Sequence, residues 1–272
     1  DNTRSRGLGD VYKRQLSAFG DDRVFLEKFI EGAQHVEFQV LGDGEDAIHF
    51  GERFCSIQRR HQKILEEGPW LSDEVRADIG ARVVAGAKAV GYKGLATFEF
   101  LRDSQGEFYF LEVNPRVQVE HTVTEMITGY DLVSLGIRVA SGESLPLSQD
   151  DIEISGHSIQ ARLNAEDPRT LEPSPGRLWE CHWPAGPGVR VDTHAHTGYD
   201  MPPSFDSLLA KLIVWGRDRQ EAIRRLDAAL AETMILGVET LIPLHRSILS
   251  EEDFRNRDVT IRYLEEHPDL LN

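Results

Sequence analysis

Polar residues occupy every second position from Glu112 to Glu120, and this alternation constrains the fold more than any other feature of the chain. In extended backbone, side chains two positions apart point to the same side, while the intervening valines point to the other side. Such a strand packs its apolar side on a core and holds its polar side over a cleft. The polar residues are Glu112, Asn114, Arg116, Gln118 and Glu120. The alternation therefore predicts a functional site on one face of a β-sheet.

Length, composition and charge favour a globular protein of one large or two ordinary domains. The chain has 272 residues, of which 40% are hydrophobic and 28% are charged. Its net charge of −16 opposes binding to nucleic acid or to an anionic membrane, so an anionic substrate needs a local cluster of cations. Cys55 and Cys181 lack metal-site spacing, and the chain shows neither a signal-peptide pattern nor an apolar run of about 18 residues. These features predict a cytoplasmic protein with reduced thiols.

Apolar periodicities of two and of three to four alternate along the chain and predict an α+β protein. Helices are predicted over residues 72–91, 131–140 and 219–236. Strands are predicted over residues 24–30, 35–41, 47–54, 97–101, 108–113, 157–163, 188–193 and 208–215. A polar stretch at 143–155 predicts a boundary between domains at 16–150 and 151–272. The basic segment 1–15 lacks apolar periodicity and is predicted to be a non-native or disordered leader.

The predicted hairpin over residues 97–113 brings two acids together. A four-residue loop places Glu99 opposite Phe110 and diagonal to Glu112, about 7 to 8 Å away at the backbone. With Asn114 beyond them, three oxygen-bearing side chains on one face suit a hard cation such as magnesium. A solvated sheet face is the alternative. Phe108 and Phe110 are predicted to share the face of the acids, which favours the metal site because poorly solvated like charges repel one another.

A second group of polar residues, at 58–63, contains three cations and a histidine within six positions. A charged surface, nucleic-acid contact and an anion-binding site are all compatible with it.

Arg162 lies in the middle of a predicted strand, where a salt bridge is the simplest interpretation. His194 and His196 have the spacing of a strand metal pair but no third ligand nearby, so they are predicted to be surface residues. Cys55 is predicted to be a core residue, and no Walker loop, Ser/His/Asp order or dinucleotide fingerprint supports another catalytic class.

Six motifs occur in order along the chain: Phe25–Ile30, His35–Val40, Cys55–Lys63, Thr97–Phe100, Glu112–Glu125 and Arg162–Pro168. With these motifs the chain resembles the C-terminal part of biotin carboxylase, the ATP-grasp component of acetyl-CoA, propionyl-CoA and pyruvate carboxylases. Carbamoyl-phosphate synthases share Asn114–Arg116 but not the continuation Gln118–His121. The resemblance implies a partial ATP-grasp domain followed by the mixed C-terminal domain of biotin carboxylase.

The resemblance also implies a reaction and its partners. Biotin carboxylases use ATP to phosphorylate bicarbonate to carboxyphosphate, which supplies carbon dioxide to biotin on a biotin carboxyl carrier protein. A separate carboxyltransferase component then uses the carboxybiotin, for example in fatty acid biosynthesis, and many family members are homodimers. No segment before Leu16 resembles the glycine-rich phosphate loop of the family, so this chain alone is expected to have little turnover. Another ATP-grasp carboxylate–amine ligase and a non-catalytic assembly fragment are the alternatives.

The family roles transfer to matching positions of this sequence. The residues expected at the nucleotide are Glu27, Lys28, Phe29, Ile30, His35, Gln58 and His61. The residues expected to hold magnesium or manganese are Glu99, Glu112 and Asn114. The residues expected to position bicarbonate are Lys63, Arg116, Gln118 and Val119. Glu120 is expected to be the general base, and Arg162 is expected to stabilise the biotin enolate.

Overall fold

The computed structural model of the chain describes residues 3–24, 26–59 and 61–271, with side chains from residue 11 onward. Phe25 and Arg60, which belong to two of the sequence motifs, lie outside the described residues. The chain forms two compact units, residues 1–31 and residues 32–272, and each is described by itself.

The first unit contains one helix, α1, over Thr3–Phe19. The sequence analysis did not predict this helix and favoured a non-native or disordered leader over 1–15, although Leu8, Tyr12, Leu16 and Phe19 recur at helical spacing. Gly20 ends the helix at φ 70°, and its N–H donates to the carbonyl of Leu16. The non-native origin of the segment stays a prediction. The strand predicted over 24–30 was also wrong, since its described residues have no regular structure.

The second unit is organised around an antiparallel sheet of eight strands. In chain order its strands are β1 Gln34–Asp43, β2 Ala47–Arg59, β3 Gln62–Gly68, β4 Lys93–Arg102, β5 Phe108–Asn114, β6 His157–Asn164, β9 Val189–Thr193 and β11 Leu208–Gly216. Their spatial order is β5-β4-β1-β2-β3-β6-β11-β9. Short pairs are formed by β7 Gly176–Arg177 with β10 Asp200–Met201, and by β8 Glu180–His182 with β12 Met234–Leu236. Because β3 pairs with β6, the sheet crosses the boundary predicted near residue 150, and that domain division stays a prediction.

Helices pack around the sheet. They are α2 Asp73–Ala89, α3 His121–Thr128, α4 Leu132–Ala140, α5 Arg219–Glu232, α6 Ile242–Ser250, α7 Glu252–Asn256 and α8 Tyr263–Glu266, with 3₁₀ turns at Gln149–Asp151 and Pro268–Leu271. The helices predicted at 72–91 and 131–140 are confirmed, and the side chains of Ser72 and Asp131 cap them. The third predicted helix ends at Glu232, not at residue 236, because the following residues pair with β8. Among the described residues, no helix has the length and apolar sequence needed to cross a membrane.

Strand β1 is buried on both faces, and this decides where the site can form. Val36, Phe38 and Val40 are fully buried in the main core, where α2 packs on the sheet. Glu37 and Gln39 alternate with them and are also fully buried, on the opposite face. Buried polar side chains require polar partners, so this second face must carry a network of ion pairs and hydrogen bonds.

Strand β3 was missed in the sequence. Residues 63–67 read Lys-Ile-Leu-Glu-Glu, without the period of two that marks a strand with one solvated face. In the structure Leu65, Glu66 and Glu67 are all buried, because both faces of this central strand are covered. Polar residues on β3 therefore have partners on two sides of the sheet.

His245 on α6 makes the stability of the unit sensitive to mild acid. Its Nε2 lies 2.8 Å from the carbonyl oxygen of Arg162, and burial lowers its pKa from 6.5 to about 4. Because the unfolded chain binds a proton at a higher pH than the folded chain does, stability is lost as pH falls between these values. We expect this residue to contribute a loss of about 3 kcal/mol across that range. Denaturant unfolding of His245→Gln as a function of pH should lack this slope, whereas substitution of the exposed His182 should leave the slope intact.

Candidate active site

The hairpin of β4 and β5 places Glu99 directly opposite Glu112. The predicted pairing of Glu99 with Phe110 was wrong. The loop has five residues, closed by a hydrogen bond from the N–H of Asp103 to the carbonyl of Glu107, and a bulge follows between Glu99 and Phe100. The bulge shifts the register by one residue. The two acids are therefore cross-strand neighbours, closer than the diagonal arrangement predicted from the sequence.

The same bulge corrects the predicted position of two aromatic residues. Phe108 and Phe110 were expected on the face of the acids. In the structure both rings contact Phe100, at centroid distances of 6.2 and 5.8 Å, and line a groove with Val83 of α2. They therefore lie on the core side of the sheet, and Glu112 is exposed on the other side.

The extended backbone ends at Asn114, so the alternation predicted through Glu120 was wrong beyond that residue. Pro115 has no N–H to donate to a strand neighbour, and residues 115–120 turn back before α3 begins. The turn nevertheless returns Gln118 to the site, where its Nε2 donates to Glu99 Oε1 at 2.7 Å. Arg116 stays exposed, with its Nη2 3.4 Å from Asn114 Oδ1.

Lys63 lies at the centre of the polar face. Its Nζ donates to Glu37, Glu99 and Glu120 at 2.5, 3.0 and 2.7 Å. The Lys63 side chain is only 10% exposed. Burial opposes the charged form of Lys63, but the carboxylates outweigh burial and raise its pKa. Lys63 is therefore the cation that holds three carboxylates together in a site closed to bulk water.

Arg53 also belongs to this hydrogen-bond network, although sequence reasoning did not identify it. Its side chain is fully buried, and its Nε donates to Glu37 at 2.6 Å. Its guanidinium also donates to Gln39, Thr97, Gln118 and Thr124. Burial would raise the pKa of Glu37, but the charges of Lys63 and Arg53 lower it to about 2. In the sequence, only its partner Glu37 could have indicated this network, because Glu37 lies on the polar side of β1 near the predicted site residue His35.

Arg162 on β6 joins the same network. Its Nε donates to Glu66 at 2.6 Å, and its Nη2 donates to Glu120 at 3.0 Å. The predicted salt bridge is therefore confirmed, with two carboxylates as partners. Arg162, Val119 and Phe205 line an open cleft of about 580 Å³. Glu120 thus lies between two cations, with Lys63 on one oxygen and Arg162 on the other.

The residues expected at the nucleotide fall into three groups. His35 and Gln58 lie at the site, because His35 Nε2 is 2.8 Å from Glu99 Oε2 and Gln58 Nε2 is 2.7 Å from His35 Nδ1. His61 is exposed in the turn after β2, at φ 66°. The residues Glu27, Lys28, Phe29 and Ile30 belong to the first unit. The structure of the second unit therefore brings two of these seven residues to the acids.

The acids offer oxygen ligands for a metal ion in two arrangements. In the described part of the chain, His35, Glu37 and Glu99 form one buried group, and Cys55 and Glu120 form a second group with Glu37. Lys63 already supplies the positive charge in both groups, so an ion there would have to displace it. At the predicted metal residues, Asn114 lies between the two acids, where its Nδ2 donates to Glu99 and Glu112 at 3.0 and 3.1 Å.

The remaining sequence candidates are surface or core residues. His194 and His196 are exposed and each contacts the ring of Tyr199, which agrees with their prediction as surface residues. Cys55 is fully buried, as predicted, and burial raises the pKa of its thiol well above the usual value. The thiol is therefore not a reactive thiolate at neutral pH.

Two family models match the chain. The ATP binding domain of the carbamoyl-phosphate synthase L chain matches residues 8–148, and the biotin carboxylase C-terminal domain matches residues 160–266. Biotin carboxylase of Haemophilus influenzae is 50% identical over 252 residues, which cover 92% of this chain and 56% of that protein. The chain belongs to the biotin carboxylase family. The family predicted from the six motifs is thus confirmed, together with its fold of an ATP-grasp portion followed by the C-terminal domain.

Other members of the biotin carboxylase family are similarly close. The chloroplastic biotin carboxylase of Arabidopsis thaliana is 50% identical over 268 residues, which cover 97% of this chain and 50% of that protein. The biotin carboxylase domain of Hydrogenobacter thermophilus 2-oxoglutarate carboxylase, solved as a dimer with MgADP, ADP and bicarbonate, has a TM-score of 0.94 and 47% identity. That match covers 98% of this chain and 60% of the solved chain. The chain thus spans about half the length of the curated relatives it matches.

Proposed function

We propose that this chain carries the bicarbonate site and part of the metal site of an ATP-dependent biotin carboxylase. The observation that carries the proposal is the environment of Glu120, whose two oxygens accept from Lys63 at 2.7 Å and from Arg162 at 3.0 Å. A carboxylate flanked by two cations suits a base that must meet an anionic substrate. Bicarbonate in the solved Hydrogenobacter relative supports the same assignment.

The bicarbonate anion would bind at the cations around Glu120. The chain has a net charge of −16, so only a local cluster of positive charge can attract an anion. Lys63 and Arg116 would supply that charge, while Gln118 and Val119 would supply polar contacts. Glu120 would accept the bicarbonate proton while a bicarbonate oxygen attacks the terminal phosphorus of ATP, which would form carboxyphosphate and release ADP. Arg162 would then stabilise the enolate form of biotin in the cleft that it lines.

Glu99, Glu112 and Asn114 fit a hard divalent cation, because they offer carboxylate and amide oxygens on one face. Bound magnesium or manganese would neutralise the phosphate oxygens of ATP. The chain's own residues prepare this position. Burial would raise the pKa of Glu99, but the hydrogen bond from His35 and the charge of Lys63 lower it to about 2. Asn114 would turn its amide so that oxygen replaces the nitrogen between the two acids.

The nucleotide and the protein partners complete the proposal. His35, Gln58 and His61 would border ATP. The carboxyl group would pass to biotin on a carrier protein and from there to a carboxyltransferase component, in a cytoplasmic enzyme. A homodimer is the proposed assembly, in line with the solved dimer of the Hydrogenobacter relative.

The deciding experiment is an ATP hydrolysis assay with bicarbonate, with and without free biotin. It should use this chain alone and the longest native polypeptide that carries it. We expect biotin-stimulated hydrolysis from the longer polypeptide and little from this chain alone. Hydrolysis that requires an amine instead of bicarbonate would identify another ATP-grasp ligase. Failure of the longer polypeptide to bind ADP, with or without magnesium, would identify a non-catalytic fragment.

Replacing Glu112 by glutamine should weaken the magnesium-dependent part of ADP binding by at least about tenfold, because a ligand charge is lost. Glu112 is exposed, so stability should change by no more than about 0.5 kcal/mol. Calorimetric titration with and without magnesium measures the effect. Glu107→Gln is the matched control, since Glu107 is an exposed acid on the same hairpin. Equal magnesium dependence in both variants would contradict the metal assignment.

A further inference from the structure

Glu66 on β3 is a fully buried carboxylate at the edge of the site, and neither the sequence motifs nor the proposed mechanism gives it a role. We propose that Glu66 is a positioning residue that orients the guanidinium of Arg162 between Glu120 and the cleft. This inference rests on the proposed function, because it concerns the arginine assigned to the biotin step.

The geometry of Arg162 shows what Glu66 contributes. The Nε of Arg162 donates to Glu66 Oε1 at 2.6 Å, while Nη2 donates to Glu120 Oε2 at 3.0 Å. Two bonds to two different carboxylates define both the plane and the rotation of a planar guanidinium. Within the described residues, no hydrogen bond uses Nη1 of Arg162, and this residue lines the cleft. Glu66 therefore leaves Nη1 of Arg162 available for a ligand in the cleft.

Glu66 is itself held in place by the sheet. It lies opposite Gln160 in the pairing of β3 with β6, and Gln160 and Arg162 are two positions apart on the same face of β6. The Nε2 of Gln160 donates to Glu66 Oε2 at 2.9 Å, and Thr122 of α3 donates to the Oε1 of Gln160. Both oxygens of Glu66 are thus bonded, so its carboxylate is a rigid anchor for Arg162.

Removing the charge of Glu66 would change the pairing of Arg162. Glu120 would then be the only carboxylate bonded to Arg162, and a guanidinium can form two parallel bonds to one carboxylate. Rotation of the guanidinium into such a pairing would turn Nη1 away from the cleft. Bulk water cannot substitute for Glu66, because the side chain is fully buried. We therefore expect a selective loss of the biotin step.

The neighbouring residue Glu67 supplies a matched control. It is equally buried on the same strand but faces the other side, where it accepts from Arg219 at 2.6 and 2.9 Å. It also lies 2.7 Å from His157 Nε2. Glu67→Gln should therefore destabilise the fold as much as Glu66→Gln does, without touching Arg162.

The kinetic test compares Glu66→Gln and Glu67→Gln in the longest native polypeptide that carries this chain. Two rates are measured for each protein: bicarbonate-dependent ATP hydrolysis without biotin, and carboxylation of free biotin. We expect the ratio of biotin carboxylation to basal hydrolysis to fall at least about tenfold in Glu66→Gln and to stay within about twofold of wild type in Glu67→Gln. A ratio in Glu66→Gln that matches Glu67→Gln would overturn the inference, because Glu66 would then be merely structural.

An activity-independent readout tests the orientation directly. Arginine Nε–Hε correlations in ¹⁵N-labelled chain report the hydrogen bond at Nε, and Arg162→Lys identifies the signal of Arg162. We expect a protected signal in wild type that shifts or disappears in Glu66→Gln and remains in Glu67→Gln. An unchanged signal in Glu66→Gln, or an unprotected one in wild type, would overturn the inference. If wild type instead lacks both enzymatic rates while this pattern holds, the proposed function fails and the positioning by Glu66 stands.

Discussion

Replacing Lys63 by methionine should lower the free energy of unfolding by at least about 3 kcal/mol, because three buried carboxylates lose their shared partner. Glu37, Glu99 and Glu120 all accept from Lys63 Nζ, and each is at most 5% exposed. Denaturant unfolding at neutral pH measures the loss. Lys88→Met is the matched control, since Lys88 is 46% exposed and pairs with the exposed Asp46 at 3.0 Å. Such a surface pair contributes at most about 1 kcal/mol.

The same variant should show a characteristic pH dependence. In wild type the pKa values of Glu37 and Glu99 are lowered to about 2, so their stabilisation is complete above about pH 4.5 and is lost as pH falls towards 2. Without Lys63, burial favours the protonated carboxyls, so acid should penalise the variant less. The difference in stability between wild type and Lys63→Met should therefore shrink from neutral pH to about pH 4. A constant difference would show that Lys63 contributes packing and not charge.

Replacing Glu120 by glutamine should reduce biotin carboxylation by the longest native polypeptide at least about 100-fold, because an amide cannot accept the proton of bicarbonate. Binding of ADP should be unchanged, since no nucleotide role is proposed for Glu120. Glutamine keeps one oxygen acceptor for Lys63 or Arg162, so the fold should persist. Steady-state rates at saturating ATP and bicarbonate, together with a thermal unfolding curve, measure these effects.

Glu125→Gln is the control for the Glu120 variant. Glu125 lies on the helix that follows Glu120, and it accepts from Arg190 at 2.7 Å and from the N–H of Leu132 at 2.8 Å. It is therefore a structural acid close to the site but bonded to other partners. A loss of turnover in Glu125→Gln as large as that in Glu120→Gln would show that local structure, not proton transfer, controls the rate.

The hairpin of Glu99 and Glu112 shows how far pattern reasoning extends. Alternation correctly placed both acids on one face, because the side-chain period of a strand is two. The partner of each acid depended on loop length and on the bulge before Phe100, which no local pattern marks. The helices at 72–91 and 131–140 were predictable because their periodicity and capping residues are local signals.

Buried charges were the least predictable part of the site. Glu37, Arg53 and Glu66 lie on strands whose two faces are both covered, so the contrast between apolar and polar faces that identifies a half-buried strand is weak there. Their partners are distant in sequence, as for Arg53 with Thr124 and for Glu66 with Arg162. Such pairings arise from the order of strands in the sheet.

The sequence by itself determined the family, the helices, most strands and the polar residue types along 112–120. Only the tertiary structure decided that Lys63 is the centre of the site, that Glu120 lies between two cations, and that Pro115 ends the strand which the alternation had extended. The physical reason is that periodicity reports which face a side chain occupies, whereas a buried charge is stabilised by particular neighbours. Those neighbours come from β1, β3, β4 and β6 and meet only when the sheet is assembled.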